Sequence, residues 1–210
     1  MDIVSYLKDI YGYATPIFLK DIRVGRKSKT AIRKELSRAV SENRIIRRSQ
    51  GVYYFKEDRE MARELSFNEI VSKKYIKDDY GIPGLNIDIY GYYSGQTFLN
   101  MIGISQQVPA VLEVTTNKTS CKRIYHSGKY RCMLRKGRTQ IDRLNYKALQ
   151  FFDMLSGSLT DDEIRENKDL LYRYINKNLT KNDFLKNIRF YSNRVMKIIV
   201  EEGLINAFRQ

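Results

Sequence analysis

Residues 25–36 read GRKSKTAIRKEL. Five cations fall within twelve residues, against Glu35 alone, and Ser28 and Thr30 stand among them. The apolar positions Ile32, Leu36, Ala39 and Val40 recur at helical spacing, which predicts a helix from Ser28 to about Ser41 with a single buried stripe. Asn43 follows as a C-terminal stop, since Asn tolerates the left-handed conformation that ends helices. Lys27, Ser28, Lys29, Thr30, Arg33, Lys34 and Ser37 all lie off the stripe. A charged helix face is ordinarily just solvated, so the meaning of this one depends on its neighbours.

Upstream, Ile3, Leu7, Ile10 and Tyr11 give a first helix within residues 2–13, and Thr15-Pro16 signals a second, short one through Ile22. Downstream, RIIRRSQGVYYF at 44–55 reads as two short strands turning at Gln50-Gly51. Three helices followed by a hairpin within about 55 residues is the layout expected of a winged helix-turn-helix. A recognition helix needs an apolar face to hold it and, near its N-terminal end, polar and cationic side chains that reach base edges and phosphates. Arg33 is placed for a bidentate contact to guanine, and Ser28 and Thr30 suit hydrogen bonds to phosphate or base. Arg47, Arg48 and Gln50 lie on the hairpin, where a wing touches backbone or minor groove. The expected DNA-contacting set is therefore Arg26, Lys27, Ser28, Lys29, Thr30, Arg33, Lys34 and Ser37 with Arg47, Arg48 and Gln50.

The charge distribution supports a polyanionic partner. The 210-residue chain carries a net +14. Residues 20–48 hold eleven basic residues against three acidic ones, and 118–143 hold nine against Asp142 alone, a net of +8 in each, so the remainder is close to neutral. In the second cluster Lys122, Lys129, Arg131, Arg135 and Lys136 are read either as a guarded sheet edge or as a second nucleic-acid surface, DNA or RNA, that holds phosphates without reading sequence.

The rest of the chain is expected to form a mixed α/β domain, so the fold class is α+β. Lys56 to Arg63 loses apolar periodicity, Ser66-Phe-Asn-Glu69 is a capping box opening a helix to about Asp79, and GIPG at 81–84 is a break. The expected division is a winged helix at 1–57, a connecting helix and linker at 58–84, and an α+β domain at 85–210 with C-terminal helices. Within the last, a short helix spans about Gly95 to Ile102. Strands follow at Val111–Thr116, Cys121–His126 and Lys129–Arg135, then a helix from Thr139 to Leu155 with Ile141, Leu144, Ala148, Leu149, Phe152 and Leu155 inward. Capping boxes at Thr160–Glu163 and Thr180–Asp183 open two more helices. A hairpin turning at Ser127-Gly128 pairs Tyr125 with Tyr130 and Arg123 with Cys132. That pairing sets Cys121 and Cys132 diagonally, too far apart for a disulfide.

Enzymatic constellations are thin. His126 is the single histidine, GYYSG at 91–95 departs from the Gly-x-Ser-x-Gly elbow so that Ser94 reads as a helix N-cap, and no phosphate-cradling glycine loop occurs. No catalytic, cofactor or metal set is therefore expected. The one enzymatic alternative is a metal-dependent nuclease using Asp88 and Glu113 on neighbouring strands, although Thr115 stands where such nucleases place a lysine. No leader or membrane-spanning run is readable, so a cytoplasmic protein without a membrane partner is expected.

Two stretches, RIIRRSQGVYYF at 44–55 and YGYYSGQTFLNMIGISQQVP at 90–109, resemble the AbiEi-type antitoxins of bacterial type IV toxin-antitoxin systems. VLEVTTN at 111–117 and the basic hairpin continue the resemblance through about residue 155. The resemblance implies a transcriptional repressor whose winged helix binds inverted repeats in its own operator. It also implies a functional partner, a nucleotidyltransferase toxin neutralised without a stable complex. On that pattern Lys29, Thr30, Arg33, Lys34, Arg48 and Gln50 would read DNA.

Overall fold

The computed structural model describes residues 2–57, 64–78 and 87–209. These form two compact units, one of the residues up to 74 and the other of 75–78 with everything from 87 onward. The fold is mixed α and β. The expected boundaries at 57/58 and 84/85, and the GIPG break, fall outside the described residues.

The first unit runs α1 (Ile3–Tyr11), β1 (Ile17–Phe18), α2 (Lys29–Ser41), β2 (Ile46–Ser49), β3 (Val52–Tyr54) and all but the last residue of α3 (Phe67–Tyr75). The strands form an antiparallel sheet in the order β1-β3-β2. The second helix expected over Thr15–Ile22 is absent. Ile17 and Phe18 are instead a strand paired to Tyr53 and Val52. Pro16 fixes one dihedral and offers no N–H, while a run of aliphatic and aromatic side chains behind it is suited to a pleated, two-sided burial. Central β3 shows why. Tyr53 and Phe55 join Ile3, Leu7, Ile32, Leu36 and Ala39 in a core on one side, and Val52 and Tyr54 join Phe18, Leu65 and Ile70 on the other. Alternation along the strand thus feeds two cores, and α3 closes the second. Burying Leu36 completely contributes about 1.5–3 kcal/mol relative to leaving it exposed. In α1, Val4 is buried and the expected core residue Ile10 is exposed.

Capping follows the sequence closely. Ser66 and Glu69 bond reciprocally at the start of α3, which ends at Tyr75, earlier than expected, and Lys77–Asp78 (β4) then pairs with Asp88–Ile89 (β5).

The second unit contains a sheet in the order β6-β7-β9-β8, from β6 (Gly91–Tyr93), β7 (Val111–Thr116), β8 (Arg123–Ser127) and β9 (Tyr130–Lys136), with β7 and β9 parallel. The hairpin register is Ser127 with Tyr130, Tyr125 with Cys132 and Arg123 with Leu134, so each residue of β8 meets a partner two positions further along β9 than expected. Gly128, at φ +58°, sits in the two-residue turn that favours positive φ. A slip of two keeps every side chain on its expected face. Val114, Cys132 and Leu134 are buried on one of those faces.

The helices are α4 (Gly95–Met101), α5 (Tyr146–Gly157), α6 (Asp161–Glu166), α7 (Lys168–Asn178), α8 (Lys181–Ile188) and α9 (Asn193–Glu201), followed by a 3₁₀ turn at Leu204–Arg209. Both capping boxes expected at Thr160 and Thr180 are formed. α5 starts seven residues later than expected. Asp142 Oδ1 accepts from the N–H groups of Leu144 and Asn145 in a local turn, and Asn117 brackets the backbone of Ile141, so 139–145 wrap rather than coil and Leu144 is left exposed. Around α5, Phe151 stacks on Tyr174 at 5.7 Å and Phe152 meets Phe184 edge-on at 4.8 Å. Such pairs add about 0.5–1.5 kcal/mol each to simple burial.

Both cysteines are free, Cys121 exposed and Cys132 buried. Burial, aided by the Glu113 charge, pushes the Cys132 thiol up to about 12, so it stays protonated through neutral pH and thiolate chemistry is closed to it. Titration with a thiol reagent at neutral pH is expected to count one reactive cysteine in the native protein and two after denaturation. Two fast native thiols would contradict the packing of β9.

Candidate nucleic-acid interface

α2 is held rigidly at both ends. Ser28 Oγ accepts from Ala31 N–H at 3.2 Å, and at the other end Asn43 takes φ +54° while Arg44 N–H reaches back to Ala39 O at 2.9 Å. That pair of features is the αL termination expected of Asn43. With Ile32, Leu36 and Ala39 buried, the orientation of the remaining side chains follows from the 3.6-residue period.

Between α2, the β2–β3 turn and the end of β1 lies a cleft of about 940 Å³. Of the expected DNA-contacting residues, α2 contributes Lys29, Arg33, Lys34 and Ser37 to it, and the hairpin contributes Arg47 and Gln50. Arg33, Lys34, Ser37, Arg47 and Gln50 are exposed. Val40 and Tyr53 supply part of its apolar lining. One helix and one hairpin thereby present cations and amide or hydroxyl groups to the same space.

The other expected residues are placed differently. Lys27 is committed to Glu35 at 2.6 Å, which offsets one of the positive charges at the helix start. Ser28 is spent as the cap. Lys29 lines the cleft, but its ammonium donates to Lys20 O at 2.6 Å and pins the turn after β1. Arg26 and Thr30 are exposed outside the cleft lining. Arg48 stands at the irregularity in the β2–β3 register, donates from Nε to Leu65 O at 3.2 Å and does not line the cleft. Two cations that the sequence pattern did not single out do line it, Lys20 and Lys74. Lys74 reaches it only because α3 packs on the sheet, a tertiary fact with no local sequence signal.

The second basic cluster divides in two. Arg131 and Arg135 occupy the same face of β9 as Met133, opposite His126 and Ile124 of β8, and Ile124 is half exposed. Lys122 and Lys129 are exposed at the ends of the hairpin strands. Arg135 and Lys136 line a separate polar cleft. The two carboxylates of the nuclease alternative are apart in the fold. Asp88 belongs to the β4–β5 pair, whereas Glu113 lies in the four-stranded sheet and is bonded to Arg135 at 2.8 Å.

Among the described residues, no helix is long and apolar enough to cross a membrane. No known family model matches the chain, and no curated protein matches it.

Lys34 is exposed and has no ionic partner among the described residues. If duplex DNA lies in this cleft, Lys34→Ala is expected to weaken binding evenly across sequences and to reduce the slope of log K against log salt by about 1. An unchanged slope would take Lys34 out of the interface.

Proposed function

We propose that the protein is a sequence-reading regulator that binds duplex DNA through its N-terminal unit, acting as a winged helix-turn-helix. The observation that carries this reading is the convergence of Arg33, Lys34 and Ser37 from one helix and Arg47 and Gln50 from one hairpin turn on a single cleft. A helix of about 10–12 Å diameter fits the major groove, which is about 12 Å wide. With α2 seated there, Arg33 reaches guanine O6 and N7, Lys34 neutralises phosphate, and the hairpin turn lies over the flanking backbone. The turns between β1 and α2 stand where a helix-turn-helix has its first helix, so support for α2 comes from α1 and the sheet instead. This is a departure from the three-helix layout, and it leaves the reading face of α2 unobstructed.

The resemblance extends the reading to autoregulation at inverted repeats and to an antitoxin that counters a nucleotidyltransferase toxin without a lasting complex. Its test is growth rescue on coexpression with the product of an adjacent gene. The DNA reading is tested by fluorescence anisotropy against the duplex upstream of the reading frame and a scrambled duplex of equal length. The native duplex is expected to bind more tightly, and Arg33→Ala to cost about 1–3 kcal/mol on that duplex with little change in stability. Equal affinity for both duplexes, unaltered in Arg33→Ala, would contradict sequence reading by α2.

A further inference from the structure

The second unit contains a polar cleft of about 450 Å³ that the DNA reading does not use. Three cations line it, Arg135, Lys136 and Arg138, together with two acids, Glu113 and Asp153. The acids orient the guanidinium groups. Glu113 Oε2 accepts from Arg135 Nη2 at 2.8 Å, and Asp153 Oδ1 lies 3.5 Å from Arg138 Nε. Each guanidinium carries five donors in a planar fork, so these pairings leave donors on both. Lys136 is exposed and has no partner among the described residues.

Two features mark the cleft as built to receive something. Ser94 is only 6% exposed, lines the cleft, and its Oγ has no hydrogen-bonding partner. It occupies the N-cap position of α4 yet makes no cap bond, because Glu113 Oε1 takes the Gln96 N–H instead. A buried hydroxyl without a partner is a cost that natural folds rarely carry without a use. Second, the carboxylate of Glu113 is seated where only glycine fits beside it. A Cβ on Gly95 would come within 2.4 Å of Glu113 Oε1, and Gly95 has φ +55°. The Glu113 side chain is thereby held over the cleft at 16% exposure.

We propose that this cleft binds a small organic phosphate, of sugar-phosphate size. Two oriented arginines and a free lysine match the several acceptor oxygens and the double charge of a phosphate monoester. Ser94 Oγ supplies a further donor. The volume exceeds what a bare phosphate fills and falls within the range of small-molecule sites, about 300–1,000 Å³. Asp153 is already taken by the Tyr92 hydroxyl at 2.6 Å and by Arg138. It is therefore the remaining oxygen lone pairs of Glu113 that accept hydroxyl protons from the organic part, which separates a sugar phosphate from inorganic phosphate. This inference is independent of DNA binding, since none of its residues belongs to the first unit.

Isothermal titration calorimetry of the full chain tests it, with ribose 5-phosphate, ribose and inorganic phosphate as probes. Ribose 5-phosphate is expected to bind one to one, inorganic phosphate at least about tenfold more weakly, and ribose not at all. Lys136→Ala should weaken ribose 5-phosphate binding by about tenfold. Ser94→Ala should weaken it too while raising the melting temperature, because the substitution removes an unsatisfied buried hydroxyl. A purely structural Ser94 would lower stability and leave binding alone. No binding of ribose 5-phosphate, or binding that neither variant changes, would overturn the proposal. Equal affinity for inorganic phosphate would overturn the part assigned to Glu113.

Discussion

The burial of Ile32, Leu36 and Ala39 against α1 and the sheet is the constraint on which the N-terminal unit depends. A helix with one such stripe has no rotational freedom about its axis. Once those three side chains are inside, Arg33, Lys34 and Ser37 must face out. The sheet adds the second half of the geometry, because β3 is buried on both faces and therefore carries β2 and the Gln50-Gly51 turn at a fixed distance from α2. The cations near the cleft are thus held by apolar packing a few ångströms behind them. Ion pairs contribute little to that positioning, since the exposed pairs nearby, such as Lys27 with Glu35, are worth at most about 1 kcal/mol.

How much of this was legible in the sequence depended on the range of the interactions involved. Helix α2, its N-terminal boundary at Ser28, its stop at Asn43, and the capping boxes at Ser66, Thr160 and Thr180 all rest on bonds spanning three to five residues, and all were readable. The β1 strand was not. Ile17 and Phe18 are extended because their partners Tyr53 and Val52, far away in sequence, complete their hydrogen bonds and their core. The late start of α5 has a similar cause, since Asn117 holds Ile141 from another element. The faces of the β8–β9 hairpin were readable despite a register error, because an error of two residues leaves alternation intact. Glu113 and Asp88 could be named as acids of interest, but their assignment to different sheets is a matter of topology that spacing does not encode.

The same distinction applies to the sites. Charge density pointed to both basic clusters, yet it could not separate cations that are structurally committed from those that are available. Lys27, Lys29 and Arg48 are each engaged by an acid or a carbonyl, whereas Arg33, Lys34 and Arg47 are open to solvent. In the second cluster the fold assigns Arg135 and Lys136 to a cleft with Ser94 and Glu113, residues about 20 to 40 positions earlier in the chain. The GYYSG stretch, weak as a nucleophile elbow, acquires a physical rationale there. Gly95 leaves room for the Glu113 carboxylate and Ser94 lines the cleft beside it.

The proposed interface lays duplex DNA against α2 and the β2–β3 turn. Backbone amide chemical-shift mapping by NMR, on adding a short duplex from upstream of the reading frame, tests it most directly because every described amide reports its own surroundings. The largest shifts are expected within residues 28–37 and 47–51, with those in the buried segment 52–55 smaller. Shifts centred on residues 122–136, with α2 unaffected, would contradict it and move the nucleic-acid surface to the second unit.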